Sequence, residues 1–213
     1  MVQGVVLVVL GILGGIGSGK SAIAGLFTEA GAECVDADRL AREVLGKPEA
    51  RARVAAAFGP DVLGPDGQVD RKALADRVFT DPKALEALNA IVHPEVRERI
   101  RERILLHRRG RDGGAGPGSV LVLDVPLLAG SPLQAECDGW VYVEAPAALR
   151  QARIRARGWA QGEMERREVF QAPLERKKEL AQWIVDNSGT LEDSRAQVRR
   201  ILGEIAGTGP TAH

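Results

Sequence analysis

Gly14, Gly19, Lys20 and Ser21 stand at the spacing G-x-x-x-x-G-K-[ST] within the run Gly14-Gly15-Ile16-Gly17-Ser18-Gly19-Lys20-Ser21. These residue types at this spacing suit the holding of a polyphosphate. Glycines let successive backbone N–H groups converge on phosphate oxygens with no Cβ in the way. A helix beginning at Lys20 presents free N–H groups and a positive dipole end to the same anion. Lys20 can reach the terminal phosphates, and the Ser21 hydroxyl can join the shell of a bound magnesium. The bland alternative is a glycine-rich turn with an exposed lysine. It is disfavoured because an apolar run, Val5 to Leu13, leads directly into the loop and a helical pattern follows it.

Other residues could serve the same chemistry. Asp36 and Asp38 follow a short strand pattern and are read as lying beside the loop. One of them can act as the general base that accepts a proton from a hydroxyl, and Asp38 can equally cap the helix that starts at Arg39. Asp124 ends the apolar run Val120 to Leu123; it is either a strand-end carboxylate holding magnesium through water or a solvated strand end. Arg150, Arg153 and Arg157 share one helical face at i, i+3 and i+7. Arginines there can clamp phosphates, or they can simply solvate an amphipathic helix. His93, alone before Pro94, reads as a structural cap, and Asn187 follows a short strand.

The elements needed to position these groups are legible as an alternation of strand and helix. Strands are expected at residues 5–13, 33–36, 120–123, 140–143 and 183–186. Helices are expected at residues 21–30, 39–45, 48–58, 146–157, 174–182 and 191–205. Helical periodicity runs through residues 71–107, with Asp81-Pro82 as a start and a break at His93-Pro94. Residues 108–119 read as a flexible glycine-rich loop and residues 158–171 as a lid-like segment without a predicted helix. Alternating β and α patterns imply a parallel sheet covered on both faces, with the site at the carboxyl ends of the strands.

The 213 residues suffice for one α/β domain with a small inserted subdomain. Equal numbers of acidic and basic residues, 29 each, leave no charge excess to draw a nucleic acid or a membrane. Two cysteines far apart, Cys34 and Cys137, fit a reduced cytoplasmic protein with neither a disulfide framework nor a zinc site. The apolar start has no preceding Lys or Arg and runs into the loop, so it reads as a buried strand and not as a signal peptide.

Taken in order, several segments resemble the dephospho-coenzyme A kinase family over nearly the whole chain. They are GGIGSGK with Ser21, VDADRLAREV (residues 35–44), DRKALADRVF (70–79), LNAIVHPEVR (88–97), VLVLDVPLL (120–128), QAPLERK (171–177) and IVDNSG (184–189). The resemblance implies an α/β fold of the phosphate-loop NTPase type, a parallel sheet flanked by helices with a helical substrate-binding subdomain and a lid. In that layout residues 1–207 form one kinase domain. Its core is residues 1–60 and 119–207, with the lid at about 150–172; the coenzyme-binding subdomain is residues 61–108, and 208–213 is a frayed tail. The implied activity is ATP-dependent phosphorylation of the ribose 3′-hydroxyl of dephospho-coenzyme A, with magnesium.

By position, Asp38 matches the family's base, and Lys20, Arg153 and Arg157 its other catalytic residues. Gly15, Ile16, Gly17, Ser18, Gly19, Lys20, Ser21 and Ala22 would meet ATP, and Asn187, by its place at a strand end alone, would border the adenine. Asp38, His93, Arg97 and Leu127 would meet the coenzyme, and Ser21 and Asp124 the metal. The implied partners are ATP and dephospho-coenzyme A, with no nucleic acid or membrane, in a monomer or weak homo-oligomer. Four positions depart from the family's usual pattern: Leu13 and Ala22 replace threonines, Ala129 replaces an aromatic residue, and Gly158-Trp159 follows Arg157 where an acidic residue is common. The competing readings are a kinase of another small hydroxylated substrate and a nucleotide-dependent switch.

Overall fold

In the computed structural model the described residues are 7–78, 80–110, 119–125, 131–160, 162–169 and 171–207. They divide into two compact units, residues 1–36 with 103–213 and residues 37–102.

The first unit is built on a five-stranded parallel sheet in the order β2-β3-β1-β4-β5. Its strands are β1 (Val8–Gly14), β2 (Glu33–Asp36), β3 (Val120–Asp124), β4 (Gly139–Glu144) and β5 (Trp183–Asp186). The central strands are apolar almost throughout, as strands covered on both faces must be. Alternate residues form one face: Leu10 and Ile12, Val120 and Val122, Val141 and Val143. They pack on Ile23, Leu26 and Phe27 of α1 (Lys20–Glu29) and on Val198, Ile201 and Ile205 of α9 (Leu191–Gly207). Val9, Leu121 and Leu123, of the opposite parity, are also fully buried.

The sequence reading set β2 beside the phosphate loop, and the sheet corrects this: β3 is the neighbour of β1, and β2 pairs only with β3. The reason lies in the strands themselves. Val120–Leu123 has no polar face and needs a central place, whereas β2 has three half-buried residues, Glu33, Cys34 and Asp36, and tolerates an edge. The same unit contains α6 (Ala147–Ala156), α7 (Glu163–Glu168) and α8 (Leu174–Glu179). The lid-like segment holds a short helix, α7, whose buried residue is Met164.

The second unit has α2 (Ala37–Leu45), α3 (Pro48–Phe58) and α4 (Arg71–Val78), and α5 (Pro82–Arg108) begins within it. Val54, Phe58, Val62, Leu74 and Val78 form its core, with Leu85, Leu88 and Ile91 packed against them. The expected break at Pro94 does not occur. Proline removes a single N–H donor from a 27-residue helix. Val92, Val96, Ile100 and Ile104, four apart on either side of it, are all buried and keep one stripe continuous.

Candidate active site

The loop after β1 ends at Gly19, whose left-handed φ of 94° places it just ahead of α1. A Cβ on Gly19 would collide with Asn187 Nδ2, and one on Gly17 (φ 77°) would come 2.7 Å from the Arg150 carbonyl oxygen. Glycine is thus required twice over, by backbone conformation and by close approach. No side chain caps α1, so its first amides face the space the loop encloses.

Lys20 Nζ donates to the carbonyl oxygens of Gly14 and Gly15, at 3.3 and 3.1 Å. Ser21 Oγ donates to Asp124 Oδ2 at 2.7 Å, and Asp124 is 6 % exposed. The adjacency of β1 and β3 creates this pair, since it sets the end of β3 beside the first turn of α1. Two hard oxygen donors at the mouth of a phosphate loop fit magnesium, which takes few protein ligands and completes its octahedron with phosphate and water. Among the described residues no cluster of three or more His, Cys, Asp or Glu could hold a metal.

The outer side of the loop is braced by two arginines and an asparagine. Asn187 Nδ2 donates to the Ser18 carbonyl at 2.7 Å, while its Oδ1 accepts from Ser194 Oγ at 3.3 Å. Arg153 donates to the carbonyls of Ser18 (3.0 Å), Gly17 (3.4 Å) and Asn187 (2.8 Å). Arg150, 7 % exposed, donates to the Ile16 carbonyl at 3.1 Å and to Glu168 Oε1 of α7 at 2.6 Å. Holding carbonyls outward in this way leaves amides to turn inward, which is what anion binding needs. Ser18 itself is buried, and its hydroxyl finds no partner among the described residues.

Lys177 on α8 is also buried, 4 % exposed, and donates to Gln171 Oε1 at 2.6 Å. Burial first, then the like charge of Lys20, lowers its pKa to about 8; Glu168 works the other way and Arg150 adds to the lowering. Sequence reasoning did not single out Lys177, Glu168 or Ser194, and for Arg150 it left open a phosphate clamp or a solvated helix face. Only the i, i+3 spacing of Arg150 with Arg153 hinted at its place.

The remaining predicted residues are placed as follows. Asp36 is half-buried at the end of β2, in register with Asp124. Asp38 is exposed in the first turn of α2, two residues further along the chain. His93 and Arg97 lie one turn apart on α5. Partial loss of hydration and then the Arg97 guanidinium hold His93 below the ordinary histidine value. Arg157 is exposed at the end of α6, and Ala22 is exposed on α1. Leu127 and Ala129 lie outside the described residues. Leu13 is buried in β1. Gly158 adopts a left-handed φ of 81° as the chain leaves α6, and the ring of Trp159 carries the Arg167 guanidinium 4.0 Å from its centroid.

Residues 8–193 match the sequence profile of the family described as dephospho-CoA kinase. The chain is 40 % identical to the dephospho-CoA kinase of Moorella thermoacetica over 200 residues, 92 % of each protein. It is also 40 % identical to that of Thermobifida fusca over 199 residues, 92 % of this chain and 95 % of the other. Among solved structures, a Thermus thermophilus protein matches with a TM-score of 0.71 and 36 % identity, covering 92 % of this chain and 97 % of its own. The dephospho-CoA kinase of Campylobacter jejuni shares the fold at a TM-score of 0.62 and 20 % identity, covering 94 % of this chain and 98 % of its own.

Proposed function

We propose that this chain, which belongs to the dephospho-CoA kinase family, transfers the γ-phosphoryl group of ATP to the ribose 3′-hydroxyl of dephospho-CoA, giving CoA and ADP, the last step of CoA synthesis. The observation that carries the reading is an intact phosphate loop, braced on its outer side and opening onto the Ser21–Asp124 pair, in a chain that matches the family over residues 8–193.

The transition state of such a transfer is loose, so the protein's task is to position groups and offset charge. The amides of Gly15 to Ser21 would cradle the phosphates, with Ala22 beside them. Lys20 would leave the carbonyls of Gly14 and Gly15 for the β- and γ-oxygens. Ser21 and, through water, Asp124 would hold magnesium, whose charge offsets that of the same phosphates. Asp38 is the base we assign to the 3′-hydroxyl, taking its proton late in the transfer. Arg153 and Arg157 are assigned to the charge that develops on the transferred group, and Asn187 to the border of the adenine. His93, Arg97 and Leu127 are assigned to the coenzyme.

Among the described residues no helix is long and apolar enough to cross a membrane. Neither Cys34 nor Cys137 is joined in a disulfide. Cysteines kept as thiols support a reducing, cytoplasmic setting.

The reading is tested by ADP release with dephospho-CoA and with CoA as alternative acceptors. Turnover is expected with dephospho-CoA, whereas CoA, whose 3′-oxygen already carries phosphate, should give none. Equal rates with both, or turnover with neither while ATP binds, would move the assignment to another acceptor.

A further inference from the structure

We propose that Lys177 is a second phosphate-contacting cation that meets the terminal phosphates of ATP beside Lys20. The inference rests on ATP as the donor, and it adds to the loop a residue some 157 positions further along the chain.

Lys177 sits on α8, and α8 packs against β1 where the loop begins. Leu174, one turn earlier on the same helix, is close enough to Gly15 that a Cβ there would come 3.2 Å from Leu174 Cδ2. The helix is thus seated on the first residues of the loop. A small cavity of about 160 Å³ opens at the start of α8, lined by Glu168, Gln171, Ala172, Pro173, Leu174 and Lys177. Gln171 accepts one of the three donors of the ammonium group.

The charges around this ammonium are Lys20 from the loop, Arg150 from α6 and Glu168 from α7. Arg150 and Glu168 are already bonded to each other at 2.6 Å. A buried lysine, Lys177, and a half-buried one, Lys20, therefore lie within each other's field, with one carboxylate shared with an arginine. In the free protein this arrangement is costly, and it is reflected in the pKa of about 8. A polyphosphate in the loop would reverse the sign of the local field and favour the charged form of Lys177. A lysine kept only to anchor α8 to Gln171 would gain nothing from such an anion.

The two roles differ in a measurable way. Near pH 8 a lysine with that pKa is about half protonated, so Mg-ATP binding without acceptor should take up roughly half a proton per site. Titration calorimetry in two buffers of different ionisation enthalpy reads this directly. Lys177→Met should abolish the uptake and weaken Mg-ATP binding roughly 10- to 100-fold at pH 7, the worth of a hydrogen bond to a charged group. Lys177→Arg, always charged, should keep much of the affinity and lose the uptake, and it serves as the reading if the methionine variant folds poorly.

Uptake that persists in either variant, or affinity for Mg-ATP unchanged in Lys177→Met, would overturn the proposal. Phosphorylation of dephospho-CoA by the unaltered protein is measured in parallel. Failure there with the proton uptake intact would remove the acceptor assignment and leave the Lys177 contact standing.

Discussion

Arg150 joins the phosphate loop to the short helix α7, and removing it should loosen both. Its side chain is 9 % exposed, that of Glu168 is 25 % exposed, and the two meet at 2.6 Å. Breaking a fully buried ion pair costs about 3–5 kcal/mol, and an exposed pair is worth about 0.2–1 kcal/mol. This pair lies nearer the first case but is partly wetted on the Glu168 side. Arg150→Met, which keeps the apolar bulk and loses the bond to the Ile16 carbonyl as well, should therefore cost about 2–3 kcal/mol. For a domain of this size that corresponds to a fall in Tm of roughly 5–10 °C.

Urea unfolding of the parent, Arg150→Met, Glu168→Gln and the double variant gives the coupling between the two side chains. It should be about 1–2 kcal/mol, because Glu168→Gln removes the carboxylate that Arg150→Met strands. The kcat/KM for ATP should fall roughly tenfold or more in the single arginine variant, since the loop loses a brace that fixes its carbonyls. A cost under about 0.5 kcal/mol with no coupling would refute the reasoning, because a contact between two mobile surface groups is what gives that result.

Three further outcomes are expected. Asp38→Asn should lower kcat at least about a hundredfold with little change in Mg-ATP binding, the usual loss for a positioned base; survival of turnover would take the base assignment from Asp38. Ser21→Ala removes both the metal oxygen and the donor to Asp124, and it should raise the magnesium concentration needed for half-maximal rate; an unchanged magnesium titration would mean that Ser21 holds no metal. The folded protein disfavours protonation of His93, so the unfolded chain takes up that proton first. The resulting stability is present above the ordinary value of about 6.5 and is lost as pH falls through the lower folded value. Urea unfolding from pH 7.5 to 5 should show this decline, and His93→Gln should flatten it.

The loop was legible because its chemistry is local: eight contiguous residues, an apolar run before them and a helical pattern after them. The strands were legible for a similar reason, since buried parallel strands are short apolar runs bounded by turn residues. Their order was not. It follows only from weighing Val120–Leu123 against Glu33–Asp36, since the strand with no polar face takes the place next to β1 where both faces are covered. Pro94 misled because a local breaker was set against the buried stripe from Val92 to Ile104, and packing won.

The arginine and lysine side chains mark a different limit. Arg150, Arg153 and Arg157 look alike in sequence, yet the first is buried, the second half-buried and the third exposed. Long charged side chains can lie along apolar surface or reach into water, and only the tertiary partners decide. Arg150 finds Ile16 and Glu168, and Lys177 finds Gln171, each across a separation that no local pattern records. Gly158, read at first as a departure from the family, supplies the left-handed residue with which the chain leaves α6.

The most direct test of the central claim is the position of the phosphate that the protein adds to dephospho-CoA. The product formed with ATP and magnesium is isolated, its mass taken, and its proton-coupled ³¹P spectrum recorded. The account predicts a mass gain of one phosphoryl group and a phosphate coupled to the ribose 3′-proton. A phosphate coupled to any other carbon-bound proton, or ADP formed with no change in the mass of the acceptor, would contradict it.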